Sequence, residues 1–217
     1  MSLAERIALV NEKIAAAARQ AGREPSEVTL VAATKVQTSD TIRQAIAAGV
    51  TICGENRVQE MTAHLDDDAY AGAALHFIGH LQTNKVRQVV GRVELIESVG
   101  SEHLLEVNIG GEASKSGISP EELSALAAQA VGSPHVRLRG LMAIPPVAAG
   151  PDGNRPFFTK MRQLYVDIRS QMDDNKTSFD CLSMGMSGDF EDAVREGATL
   201  VRVGTALFGP RPPMHKG

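Results

Sequence analysis

Cysteine is scarce in this chain: its 217 residues carry two, Cys53 and Cys181. Neither stands at a metal-ligand spacing from a histidine, so no zinc-type site is expected. Thiols set inside apolar runs read as buried, free and kept in a reducing compartment. No apolar run approaches the ~20 residues of a membrane-spanning helix. The opening Met-Ser-Leu-Ala-Glu-Arg-Ile is charged where a signal peptide would be apolar. Cytoplasmic residence without a membrane partner is the expectation. Positive charge is also in deficit, with 22 Lys and Arg against 26 Asp and Glu and a net charge of −4. That balance argues against a nucleic-acid binder or a protein held on an anionic membrane. No internal repeat or low-complexity tract stands out.

What is present is an ordinary globular composition, 43% hydrophobic and 22% charged, over a length that suits one domain spanning 1–217. Short apolar runs alternate with helical patterns. Strands are predicted at 28–35, 50–54, 75–79, 94–99, 104–109, 136–144, 179–183 and 200–203. Helices are predicted at 2–21, 39–48 with Ser39 as N-cap, from about 56, from 119–120, at 156–172 and at 189–196. Residues 145–156, rich in Pro, Gly and Ala, read as a loop after strand six. Eight strands alternating with helices imply an α/β fold, a (β/α)8 TIM-type barrel with an extra N-terminal helix. One connection breaks the pattern. Residues 100–103 separate strands four and five, and four residues cannot make the crossover that parallel neighbours need. Either the fourth helix is missing or a segment is absent from the sequence as written; we favour the second.

Barrel active sites form at the carboxyl ends of the strands. Strand one, Val28-Thr-Leu-Val-Ala-Ala-Thr-Lys35, is apolar or β-branched until its last residue. A lysine there either snorkels to solvent or, with its pKa lowered by desolvation, attacks an aldehyde to form a Schiff base. After strands seven and eight, where barrels often hold phosphate, come Ser183-Met-Gly-Met-Ser-Gly-Asp189 and Gly204-Thr-Ala-Leu-Phe-Gly209. Gly185, Gly188 and Gly204 allow close approach of backbone to an anion. Ser183, Ser187 and Thr205 add hydroxyls, and the helix near Asp189 adds free N–H groups. The alternative is a pair of ordinary glycine turns. Arg202, in strand eight, either enters the barrel or pairs outward with a helix carboxylate. Asn56 either caps a helix or points its amide at a ligand. His80 reads as structural or as an acid–base group, and Lys115 as a rim lysine.

Together these segments resemble a known family. Val31-Ala-Ala-Thr-Lys35, Gly54-Glu-Asn56 with Val58-Gln-Glu60, His76-Phe-Ile-Gly-His-Leu-Gln82 with Asn84-Lys85, Glu106-Val-Asn-Ile109 with Lys115-Ser-Gly117, Gly140-Leu-Met-Ala-Ile144, Leu182-Ser-Met-Gly-Met-Ser187, and Val201-Arg-Val-Gly-Thr205 with Phe208-Gly209 follow in order along nearly the whole chain. The sequence resembles the pyridoxal phosphate homeostasis proteins, single-domain relatives of the alanine racemase barrel. The resemblance implies that Lys35 forms the internal aldimine with pyridoxal 5′-phosphate (PLP). It further implies that Ser183, Gly204 and Thr205 hold the phosphate, that Arg202 faces the pyridine nitrogen and that Asn56 sits beside the ring. His80 and Met142 would line the pocket.

A cation opposite the pyridine nitrogen disfavours ring protonation and weakens the ring as an electron sink. A racemase also needs a second acid–base group across the substrate carbon. In the alanine racemase relatives it comes from an added C-terminal domain, for which this chain is expected to have no room. Only Tyr70 and Tyr165 occur, neither in a predicted mouth loop. The expected function is therefore intracellular vitamin B6 homeostasis: a monomer that binds PLP and buffers it or delivers it to apo-enzymes. The alternatives are a PLP-dependent racemase with Lys35 and His80 as its bases, and a Schiff-base aldolase acting on sugar phosphates.

Overall fold

The computed structural model describes residues 1–98, 104–112, 116–134, 137–147, 153–172 and 179–210. Eight strands run β1 Thr29–Ala33, β2 Ile52–Glu55, β3 Ala74–Phe77, β4 Leu95–Ile96, β5 Leu104–Val107, β6 Gly140–Ala143, β7 Cys181–Ser183 and β8 Leu200–Val203. All pair in parallel, in the order β4-β3-β2-β1-β8-β7-β6-β5. The sheet is a nearly closed barrel whose seam lies between β4 and β5. The short connection singled out in the sequence, 100–103, lies outside the described residues, as do Lys115 and Val136.

Helices cover the outside: α1 Leu3–Gln20, α2 Ser39–Ala47, α3 Val58–Asp66, α4 Leu123–Gly132, α5 Arg155–Ser170, α6 Phe190–Arg195 and α7 Thr205–Phe208. The extra helix α1 starts at a capping box, where the Ser2 hydroxyl accepts from the Glu5 N–H and Glu5 reaches back to the Ser2 N–H. Its buried stripe of Ile7, Val10, Ile14, Ala17 and Ala18 packs on α6 and α7. That places α1 behind the strand-eight loop, and Arg6 donates to the Leu207 carbonyl there.

Burial on both faces explains the near-continuous apolar strands. One face of the strands meets the helices in the main core. The other meets itself, with Val31, Leu95, Leu104, Met142, Cys181 and Leu200 filling the barrel floor. Because strand side chains alternate, these residues fix which later positions also face inward. Counting by two from Val31 gives Ala33, and Leu200 gives Arg202. Leu104 gives Glu106, Leu95 gives Glu97, and Cys181 gives Ser183. The polar residues of the interior are thus the next inward layer above an apolar floor.

Several boundaries move. Strands end two or three residues earlier than predicted at β1, β4 and β5. The cap of α2 is Thr38, whose hydroxyl accepts from the Thr41 N–H, and not Ser39. Asn56 caps nothing, because α3 begins at Val58 with Arg57 before it. Helix α4 begins at Leu123 instead of 119–120, since Ser119 donates both N–H and hydroxyl to the Glu122 carboxylate in a separate turn. The four-residue α7, unpredicted, opens directly after Gly204. Both cysteines sit in strands as predicted. Burial, and for Cys53 the nearby Glu55 charge, pushes its thiol up to about 12, while burial and Asp180 do the same for Cys181.

Candidate functional site

At the carboxyl ends of the strands lie two adjoining cavities. The larger, about 410 Å³, is lined by residues including Lys35, Asn56, Gly79, His80, Ser98, Glu106, Met142 and Arg202. The smaller, about 200 Å³, lies over the loops after β7 and β8 and is lined by Lys35, Ser187, Gly188, Arg202, Gly204 and Thr205 among others. Ala33, Lys35, Met186 and Arg202 border both. Lys35 and Arg202 therefore stand at the junction of a ring-sized chamber and a smaller polar one.

Lys35 lies past the end of β1, in a turn closed by the Gln37 N–H donating to the Thr34 carbonyl at 3.0 Å. It is half-buried. Arg202 is held from below. It is 4% exposed, its Nη1 donates to the Ser183 hydroxyl, and its Nη2 donates to the Ala143 carbonyl at 3.0 Å. Ser183 in turn donates to Glu97 Oε2, and His76 Nδ1 lies 2.7 Å from Glu97 Oε1. Burial alone would raise the Glu97 carboxyl. The hydrogen bond and charge of His76, together with Arg202 and the Ser183 hydroxyl, more than offset it and hold the group below the usual carboxylate range. Burial pulls the Arg202 pKa down, with Glu97 and Glu106 opposing. Glu106 itself is raised by burial, with His80 and Arg202 opposing.

The structure brings Lys35, Asn56, Arg202, Gly204 and Thr205 to the cavity walls, with His80 and Met142. Ser183 is the exception. It is fully buried, belongs to the network under the cavity and lines neither chamber. Of the two serines it is Ser187 that lines the smaller chamber, beside Thr205, and it accepts from the N–H groups of Gly204 at 3.1 Å and Ala206 at 3.2 Å. Both lone pairs are thereby engaged, and its own proton is left for an acceptor in the chamber. The N-terminal end of α6 already carries an acid: Asp189 accepts from the Met186 N–H at 2.6 Å. Gly185, at φ +93°, serves packing. A Cβ there would come within 2.5 Å of the Ala193 Cβ on α6. The sequence reading missed Glu97 as the hub of the network. Its signal was a carboxylate directly after the apolar pair Leu95-Ile96 of β4, one strand away from His76.

The alanine racemase N-terminal domain pattern matches residues 10–212. The chain belongs to that family. It is 38% identical to the pyridoxal phosphate homeostasis protein of Aquifex aeolicus, over 97% of this chain and 99% of that one. It is 40% identical to the protein of the same name from Pseudomonas aeruginosa, over 97% and 96%. The structure of PipY from Synechococcus elongatus with PLP bound superposes with a TM-score of 0.79 at 32% identity, covering 96% of this chain and 100% of that one. These are the proteins that the sequence motifs resemble.

The walls suit a phosphorylated aromatic aldehyde. Asn56 Oδ1 is buried beside the larger chamber without a hydrogen-bond partner, and a buried acceptor left so is costly. Around the smaller chamber, the Ser187 side chain and the open backbone at Gly188 line the space that an anion would fill.

Proposed function

We propose that this chain binds pyridoxal 5′-phosphate in the paired cavities, with Lys35 bonded to its aldehyde carbon, and that it stores and hands on the cofactor. The observation that carries this reading is the junction: one amine and one guanidinium border both the ring-sized chamber and the anion-sized one. The names of the Aquifex and Pseudomonas relatives, and the PLP held by PipY, support it.

When bound, PLP supplies an electrophilic aldehyde carbon and an electron-withdrawing ring. The residues do the rest. Lys35 Nζ, as the neutral amine, would form a C=N bond to that carbon with loss of water, and the attachment would be reversible by hydrolysis. Ser187 donates its hydroxyl proton to a phosphate oxygen, with Gly204 and Thr205 beside it. Asn56 takes a hydrogen bond at the ring's edge. Arg202, fixed from below by Ser183 and the Ala143 carbonyl, keeps a positive charge beside the ring and disfavours protonation of the ring nitrogen. That favours holding over carbanion chemistry. Tyr70 donates to Glu55 and Tyr165 to the Phe179 carbonyl, and neither lines a chamber. Among the described residues no helix is long and apolar enough to cross a membrane. We read the chain as one cofactor-binding unit, monomeric and cytoplasmic, with apo-enzymes as recipients.

The test is borohydride reduction in the presence of PLP followed by peptide mass spectrometry. A pyridoxyl adduct is expected on the Lys35 peptide and is lost in Lys35→Ala; an unmodified Lys35 in the wild-type protein overturns the reading. A second reading, racemisation, draws on His80 and Glu106 in the larger chamber. The same preparation decides it in heavy water: α-proton exchange of an amino acid that disappears in His80→Ala would favour catalysis over storage.

A further inference from the structure

The motif segment Val58-Gln-Glu60 is not used by the site described above. The turn that presents Lys35 is also unusual. It spans residues 34–37, with Lys35 and Val36 at its centre, and Val36 sits at φ +60°. A turn of this kind normally places Gly or Asn at the third position. A β-branched residue there is strained, because its Cβ crowds the neighbouring carbonyl. Such strain persists only where the surroundings enforce it.

Two sets of contacts enforce it here. On one side the turn is pinned to β2: the Thr34 N–H donates to the Gly54 carbonyl at 2.9 Å, and the Thr34 hydroxyl donates to Glu55 Oε1 at 2.6 Å. On the other side Glu60, in the first turn of α3, accepts from the Val36 N–H through Oε2 at 3.1 Å. Its other oxygen accepts from Arg57 Nη1 at 3.1 Å, which fixes the carboxylate's orientation. The residue before Lys35 is thus tied to β2 and the residue after it to the helix that follows β2.

We propose that Glu60 is a positioning residue for Lys35, holding Val36 in its left-handed conformation so that the lysine is presented at the junction of the two chambers. This rests on the reading of Lys35 as the residue that bonds PLP. Without Glu60 the turn relaxes toward negative φ at Val36 and swings Lys35 away from the aldehyde. The strain argument makes a specific demand. If Glu60 works against the Val36 side chain, then glycine at 36, which adopts φ +60° without crowding, removes the need for Glu60.

The experiment measures the rate of pyridoxyl trapping on Lys35 at matched protein folding, in wild type, Glu60→Gln, Glu60→Ala and the double variant Glu60→Ala with Val36→Gly. Glu60→Ala is expected to slow trapping about tenfold, the scale of a lost charge-assisted hydrogen bond and released strain. Glu60→Gln, whose amide oxygen still accepts from the Val36 N–H, is expected to stay near wild type. The double variant is expected to recover most of the rate. An unchanged rate in Glu60→Ala, or no recovery in the double variant, overturns the clamp while leaving the cofactor reading standing. Absence of trapping in the wild type overturns the cofactor reading itself, and the clamp with it.

Discussion

Replacing Glu97 with alanine is expected to destabilise the protein by about 3–5 kcal/mol, the range for removing one partner of a buried ion pair. Glu97 is fully buried and holds three groups at once: His76, Ser183 and, at 3.9 Å, Arg202. Its loss removes the largest negative charge acting on the guanidinium and leaves it with a serine, a carbonyl and the smaller influence of Glu106 and Asp189. Thermal unfolding should drop by roughly 10 °C for a chain of this size. Arg202→Met in the same background should recover part of the loss, because the unpaired charge goes with it. The pH dependence has a definite sign. The Glu97 carboxyl is held below its unfolded pKa, so the folded state binds a proton less readily than the unfolded one. Its contribution is present in full above the ordinary carboxylate range and is lost as pH falls through the lowered folded pKa. Urea melts of wild type and Glu97→Gln should therefore differ at pH 7 and converge in acid. Equal stability at pH 7 would show that the network contributes nothing.

Gly79→Ala is expected to damage both fold and site. A Cβ at this position would lie 2.3 Å from the Asn56 carbonyl oxygen and 2.6 Å from its Cα. Both are backbone atoms, so no side chain can turn aside. The chain must move at the end of β3 or after β2, and both segments line the larger chamber. The Ser98 hydroxyl, which donates to the Gly79 carbonyl, would be carried along. The expected result is a loss of about 1–3 kcal/mol from overpacking and at least tenfold weaker PLP binding. Equilibrium dialysis at a temperature where the variant stays folded separates the two effects. Retained affinity would mean that the contact between Gly79 and Asn56 does not shape the chamber.

The two variants probe different layers of one barrel. Glu97 lies in the polar layer that supports Arg202 from beneath, whereas Gly79 lies in the wall above it. A defect in the first acts through charge and a defect in the second through shape, so the first responds to pH and the second does not.

The sequence by itself determined the barrel and most of its cavity. Apolar runs separated by helical periods give parallel strands, and the carboxyl-end rule then places Lys35, Asn56, Gly204 and Thr205 at one mouth whatever the details of packing. The sequence left Arg202 open between inward and outward, and alternation along β8 makes it inward only once the structure assigns Leu200 to the floor. Helix starts were less legible, as Ser39 and Asn56 illustrate, because the choice among adjacent capping residues depends on where the chain arrives from the preceding strand. The tertiary structure alone decided which serine lines the smaller chamber. Ser183 and Ser187 are four residues apart in one loop motif, but the strand parity of β7 turns Ser183 inward onto Glu97, while the loop carries Ser187 across to the N–H groups of Gly204 and Ala206. It also decided the partnership of His76, Glu97, Ser183 and Arg202, which come from β3, the residue just past β4, β7 and β8. Local pattern fixes the direction in which each of these side chains points. Only closure of the sheet fixes which of them meet, because that depends on register between strands far apart in sequence.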